Sequence, residues 1–293
     1  MKYQAIRDGI NAAQEKAKPL QVDLETTKLI CFSDHHRGSG DGADDFRPCE
    51  QTYLNALQYY LERDYLLIVL GDVEELWESE PKDIVKQYAS VYEMESKFYR
   101  TQNLLRVWGN HDDLWRFPDA VKTFFGKKFP GIGCLESINM QFTHQNEPIG
   151  NILWLHGHQG TLLSARFAAI SKFFVRLFWR PIQRIFHIPL STARNTPKLR
   201  YKTDKAMNLW ASIRSRQLII CGHTHQYLFG SLAGETDKKP CYFNTGACSY
   251  GNGNISGIEI SNKKIRLVEW EPDSSEPYYI AADFLTDIFD RCE

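Results

Sequence analysis

The chain reads as an α/β protein built on two β-sheets, and three observations carry that reading. Short apolar runs alternate with segments of helical period through the first two thirds. Five of those runs close on a polar motif, the place where open α/β sheets build their sites. The C-terminal third then changes to three strand-like runs separated by Gly/Asn turns, the mark of antiparallel pairing.

Residues 1–18 read as a solvated helix of mixed charge. Residues 28–32 (Lys-Leu-Ile-Cys-Phe) form a buried strand ending at Asp34. A helix follows over 50–63, where Tyr53, Leu54, Leu57, Tyr60 and Leu61 recur at helical spacing. The run 65–70 is a second strand ending at Asp72, and 81–100 reads as one helix. Residues 104–108 form the third strand, ending at Asn110. The runs 152–155 and 218–221 are the fourth and fifth, ending at His156 and His223. Strands over 241–245, 255–260 and 264–270 predict a second, antiparallel sheet. There is no repeat and no Pro/Gly-rich linker, so 1–293 reads as a single domain.

Composition excludes several classes. A net charge of −1 is not that of a general polyanion binder, and 43% hydrophobic residues suffice for a large core. Seven scattered cysteines without a C-x-x-C pair predict reduced thiols in a cytoplasmic setting. The polar N-terminus predicts no signal peptide, and no apolar stretch reaches membrane-spanning length.

The motifs are Asp34-His35-His36, Gly71-Asp72, Gly109-Asn110-His111-Asp112, His156-Gly157-His158 and Gly222-His223-Thr224-His225. None is specific alone, but five in one order are not scattered structural residues. Carboxylate, imidazole and amide oxygen suit a borderline cation, with Mn²⁺ the leading choice and Fe or Zn²⁺ the alternatives. The ligands outnumber the needs of one ion, so two divalent ions are implied. Two ions about 3.5–4 Å apart can share a hydroxide and clamp an in-line phosphoryl displacement. Asp72 is the natural bridging carboxylate.

In this order the motifs resemble those of the calcineurin-like metallophosphoesterase superfamily, over Leu29 to His225. The resemblance implies a four-layer αββα sandwich of two packed mixed β-sheets flanked by helices. It implies one metal on Asp34, His36, Asp72 and His225, and another on Asp72, Asn110, His156 and His223. It makes His111 the acid–base residue, a task suited to a group that titrates near neutrality. Glu75 matches a carboxylate that orients that histidine; a first-turn helix carboxylate is its alternative. Asp112 reads as a local cap, His35 as a non-ligand, and His158 as a neighbour of the ligands. Arg37 follows the first motif and is expected to contact the substrate phosphate, unless it is an exposed loop arginine.

Substrate clues lie between the fourth and fifth motifs. Twelve Lys and Arg against one acidic residue, Asp204, give 160–216 a net charge of +11 in a chain whose total is −1. Lys172, Arg176 and Arg180 fall on one helical stripe, with Phe167, Ile170, Phe173, Phe174, Leu177 and Phe178 on another. Such a stretch over 165–187, its helix kinked or ended by Pro181, is expected either to pack on the core or to touch an anionic membrane surface. Gly71-Asp72-x-x-Glu75-x-Trp77 is also similar to a pattern of the UDP-2,3-diacylglucosamine pyrophosphatases. In those enzymes a helical insert forms a lid over acyl chains. The expected substrate is therefore a phosphorylated small molecule or a lipid-linked or nucleotide-sugar diphosphate, met in the cytoplasm or at the inner membrane surface. A nucleic-acid phosphodiesterase, a serine/threonine-type phosphomonoesterase and a non-catalytic scaffold of the same fold are the alternatives. Nucleic acid fits the insert less well than lipid, because its aromatics share an apolar stripe.

Overall fold

In the computed structural model, which describes residues 2–159, 197–230 and 241–293, two mixed sheets pack face to face between helices. The first strands in chain order are β1 (Lys18–Asp23), β2 (Leu29–Phe32), β3 (Leu66–Leu70), β4 (Leu104–Val107) and β5 (Cys134–Leu135). Then come β6 (Ser137–His144), β7 (Glu147–Leu155), β8 (Gln217–Cys221), β9 (Leu228–Phe229) and β10 (Tyr242–Asn244). The last are β11 (Ile255–Ser261), β12 (Lys264–Trp270) and β13 (Tyr278–Phe284). The described helices begin with α1 (Lys2–Glu15), α2 (Glu50–Leu61), α3 (Pro81–Gln87) and α4 (Ala89–Arg100). They end with α5 (Pro118–Phe125), α6 (Pro197–Ser212) and α7 (Leu285–Arg291).

One sheet runs β13-β12-β11-β2-β3-β4-β5 and the other β1-β6-β7-β8-β10-β9. The motif strands are thus shared between them. β2, β3 and β4 are parallel neighbours in the first, and β7, β8 and β10 in the second. The C-terminal antiparallel strands do not make a sheet of their own, as the sequence had suggested. β11 pairs antiparallel with β2, Ile258 opposite Cys31, and so extends the first sheet. The second sheet is completed instead by β1 and by the β6–β7 hairpin, which the sequence reading did not anticipate.

Strand alternation explains the layers. In β2, Leu29 and Cys31 face the other sheet while Ile30 and Phe32 face α2; in β3, Ile68 and Leu70 face inward and Leu67 and Val69 outward. Both faces are buried, which is why these runs carry no polar residue. α2, α4 and α5 cover the first sheet through Tyr53, Leu57, Val91 and Phe125. α1, α6 and α7 cover the second through Ile10, Met207, Trp210 and Ile288. The expected single helix over 81–100 breaks at Tyr88, whose ring turns in against Phe46 and whose hydroxyl donates to Asp44 at 2.6 Å.

Cys241 and Cys292 form a disulfide between the start of β10 and the end of α7. This corrects the expectation that every thiol is reduced: the two are 51 residues apart, and only the fold brings them together. Cys31, Cys49, Cys134, Cys221 and Cys248 are free thiols, and all but Cys134 are buried. No described helix is long and apolar enough to cross a membrane. The amphipathic helix expected over 165–187 lies outside the described residues. The described end of the basic stretch, α6, packs against α1 and the second sheet.

Candidate metal centre

The parallel strands of both sheets point their carboxyl ends at one rim, and the polar motifs meet there. Hydrogen bonds carry the strand pairing past the strand ends. The Asp34 N–H donates to Gly71 O at 3.1 Å, His36 N–H to Asp72 O at 3.0 Å, and Gly222 N–H to His156 O at 3.0 Å. The sheets are stitched together at the same place, since Cys248 N–H donates to Ser33 O and His223 N–H donates to Asp34 Oδ2.

The backbone is unusual where the candidate ligands sit. Asp34, His36, Asp72, His223 and His225 all have left-handed φ, between +50° and +68°. Such conformations cost an L-residue of order 1 kcal/mol or more each, so their clustering points to a site that needs these side chains turned inward. Two glycines make room. A Cβ at Gly109 would overlap Asp72 Oδ1, and one at Gly222 would overlap Asp34 Oδ2.

Ligand atoms within 4.8 Å of one another form three groups among the described residues: one is His36, Glu75 and His111, and the other two are Asp34, His36 and His225, and Asp72, His156 and His223. Asp72 Oδ2 lies 3.8 Å from His36 Nε2 and 3.2 Å from His156 Nε2. Four of the candidate ligands are held by their other atom. Asp34 Oδ2 accepts from Ser33 Oγ and the His223 amide, leaving Oδ1 facing His225 Nε2 at 3.2 Å. Asp72 Oδ1 accepts the His111 N–H at 2.7 Å. His156 Nδ1 donates to Leu70 O at 3.0 Å, and His36 Nδ1 donates to Glu75 Oε2 at 2.7 Å. In the neutral rings those bonds put the proton on Nδ1 and aim the Nε2 lone pairs into the centre.

The residues fit a pair of divalent cations. Asn110 Oδ1 is buried yet makes no hydrogen bond, while Asp34 Oδ1 and His156 Nε2 face other candidate ligands, His225 Nε2 and Asp72 Oδ2, at 3.2 Å each. Buried polar atoms without partners are rare and costly. His36 Nε2 and His225 Nε2 also face each other at 3.1 Å, an arrangement that asks for a cation between them.

Electrostatics follow from this crowding. Burial would raise the Asp34 carboxyl, but the His156 and His225 imidazoles pull it well below the usual range; Asp72 is lowered likewise, by His156 and His111. Burial would lower His156, but Asp72 and Asp34 raise it to about 9. His223 goes the other way, to about 3, through burial and the neighbouring His156.

Of the remaining residues singled out in the sequence, His111 and Glu75 come together. Glu75 Oε1 accepts from His111 Nδ1 at 2.6 Å while its Oε2 holds His36. Asp112 caps locally, accepting from the Gly109 and Val73 amides, and burial with Glu74 and Asp72 raises it to about 7. His35 is buried edge-on to Tyr53 and Phe46, away from the ligand groups. The His158 ring is buried 5.5 Å from that of His156.

Arg37 is a correction. It is not at the substrate's side of the centre but wholly buried, paired to Glu95 at 2.5 Å and enclosed by Phe46, Tyr53 and Tyr92. Its backbone pairs with Val73 and Glu75, which turns the side chain from the rim into the helix-side core.

Ser33, Thr245, Ser249 and Asn244 lie outside the five motifs yet brace the same centre. Ser249 Oγ donates to Asp34 O, Thr245 bonds Ser33 Oγ, and Asn244 Nδ2 donates to Gly222 O. A signal existed: Asn244-Thr245-Gly246 closes β10 on a polar turn, as the five motifs close their strands.

Comparison with known proteins agrees with this geometry. No curated protein matches the chain significantly. Similar solved structures include a conserved, predicted phosphoesterase from Streptococcus pneumoniae, at 17% identity and TM-score 0.34, covering 86% of this chain and 97% of that one. Vacuolar protein sorting 29 from Cryptosporidium parvum matches at 14% and 0.36, over 88% and 96%. A Vps29 double mutant from Entamoeba histolytica matches at 15% and 0.35, over 87% and 99%. Superpositions this loose carry no argument about function. The sequence model of the calcineurin-like phosphoesterases, however, matches residues 27–227, a span that opens before Asp34 and closes after His225. With every motif of the rim inside that span, the chain belongs to the calcineurin-like phosphoesterase family.

Proposed function

We propose that the chain is a hydrolase of phosphoester or pyrophosphate bonds, working with two divalent cations. The observation that carries this is Asp72, grouped with His156 and His223, whose Oδ2 lies 3.2 Å from His156 Nε2 and also 3.8 Å from His36 Nε2 of the neighbouring group. Asp34, His36, Asp72 and His225 would hold one ion, and Asp72, Asn110, His156 and His223 the other. Mn²⁺ suits this mixed set of donors. Bound there, the pair supplies charge neutralisation for a phosphoryl group and an activated water.

The chain's own residues do the rest. His111 hands a proton to the departing oxygen as the P–O bond breaks, while water provides the new oxygen on phosphorus. Glu75 holds the His111 ring through Nδ1 and so leaves Nε2 as the atom available to the ester. The substrate class we favour is a lipid-linked or nucleotide-sugar diphosphate, handled at an anionic membrane surface. The +11 charge of 160–216, the aromatic stripe within it and the Gly71-Asp72-x-x-Glu75-x-Trp77 pattern support that reading.

The test is hydrolysis, with Mn²⁺ and with chelator, of an aryl phosphomonoester, an aryl phosphodiester, UDP-diacylglucosamine and single-stranded DNA. Chelator-sensitive turnover that favours the lipid-linked diphosphate, with co-flotation on anionic vesicles, is expected. Turnover of DNA above all others would move the assignment to nucleic acid, and no turnover at all would favour a scaffold.

A further inference from the structure

Trp77 closes the second motif, and neither the metal ligands nor the acid accounts for it. Its indole is stacked on the His111 ring, with centroids 4.0 Å apart and planes at 24°. Its Nε1–H donates to the backbone oxygen of Asn110 at 2.9 Å. The side chain is almost fully buried, so neither contact is a surface accident. Glu75, two residues earlier, grips the same imidazole from its edge at Nδ1. His111 is therefore held by a carboxylate in the ring plane and by an aromatic face above it, both from one short segment after β3. A ring fixed only at Nδ1 can still rotate about that hydrogen bond, and a stacked face removes this freedom.

We propose that Trp77 is a positioning residue: its face fixes the plane of His111, and its N–H fixes the chain at Asn110. This rests on the reading of His111 as the acid that protonates the departing oxygen. Because Asn110 and His111 are adjacent, one side chain would then set a metal ligand and the acid in register. Misplacing a catalytic group by about 1 Å can cost roughly 100-fold in rate.

The face and the N–H can be separated by substitution. Trp77→Leu removes both, and Trp77→Met, closer in volume, serves if the leucine variant does not fold. Trp77→Phe keeps an aromatic face and loses only the donor. Each Mn²⁺-loaded protein is assayed on aryl phosphates of graded leaving-group acidity, alongside His111→Ala, and Mn²⁺ binding is followed by calorimetry.

Loss of acid alignment should hurt poor leaving groups most. For Trp77→Leu or Trp77→Met we expect kcat on phenyl phosphate to fall about 10- to 100-fold, and on the dinitrophenyl ester less than about 3-fold. Trp77→Phe should keep the wild-type leaving-group dependence and bind one of the two Mn²⁺ ions several-fold more weakly. The inference fails if Trp77→Leu lowers the whole series equally while His111→Ala steepens it; the role of His111 then stands without Trp77. It also fails if Trp77→Phe binds both ions as the wild type does. If His111→Ala does not steepen the series, or no aryl ester is turned over, the acid role falls and Trp77's role with it.

Discussion

At the scale of single residues, Asp34, His36, Asp72 and His156 are each tied down at one atom and turned into the centre at another. His156 shows the consequence. Its folded pKa of about 9 lies above the ordinary imidazole value because Asp72 and Asp34 outweigh its burial. A raised pKa contributes stability that is fully present below about pH 6.5 and is lost as pH rises towards 9. The metal-free protein should therefore weaken over that window, while the lowered carboxyls of Asp34 and Asp72 cost it stability only in acid. A cation needs the His156 lone pair, so binding at pH 7.5 must expel that proton. Calorimetry of Mn²⁺ binding in two buffers of different ionisation enthalpy should return about one proton released through His156, and none of it in His156→Gln. Release of no proton by the wild type would contradict the picture. His223, already neutral at that pH with its pKa near 3, should contribute nothing.

At the scale of elements, the ends of β2, β3 and β4 are bound by a buried box of two arginines and two glutamates. Arg106 on β4 pairs with Glu74 at 2.7 Å and with Glu95 of α4 at 3.1 Å, and Glu95 also holds Arg37. Tyr92 and Trp115 complete the box by donating to Glu74. Such a box contributes little beyond an apolar core, but breaking it strands a buried charge. Glu95→Ala should lower the unfolding free energy of the metal-free protein by roughly 3–5 kcal/mol in urea titration, and a loss under about 1 kcal/mol would contradict it. This box explains why Arg37 was misread. From the sequence it follows a ligand motif, and nothing local says that Glu95, 58 residues on, will claim it.

The same limit applies to the strands. Each of the five motif-bearing runs is a strand, because a continuous apolar run ending in a polar turn is a local signal. β1 was hidden in Lys18–Asp23, where only Leu20 and Val22 turn towards the core and the other residues are exposed. β6, with Asn139 and Gln141 among its residues, was hidden in the same way and surfaces only by pairing with β7.

Over the whole molecule, the candidate site needs both sheets. The first contributes Asp34, His36, Asp72 and Asn110, and the second His156, His223 and His225. All seven candidates can be picked out in the sequence because each follows one of five strand ends, Asp34 and His36 sharing β2 and His223 and His225 sharing β8. How the strands divide between sheets cannot be read there, since sheet membership depends on long-range pairing such as Ile258 with Cys31. Charge behaves similarly. Asp204, the only acidic residue of 160–216, accepts from Tyr242 at 2.7 Å and Thr224 at 3.3 Å, beside the His223–His225 loop.

The central claim is that two cations share Asp72, and the most direct measurement is the number of Mn²⁺ ions bound per chain, by calorimetry, in the wild type and in Asp72→Ala. Two ions in the wild type, with both sites weakened in the variant and chelator-sensitive hydrolysis lost, is the result predicted. A wild type that binds one ion or none, or an Asp72→Ala protein that still holds two as tightly, would contradict it.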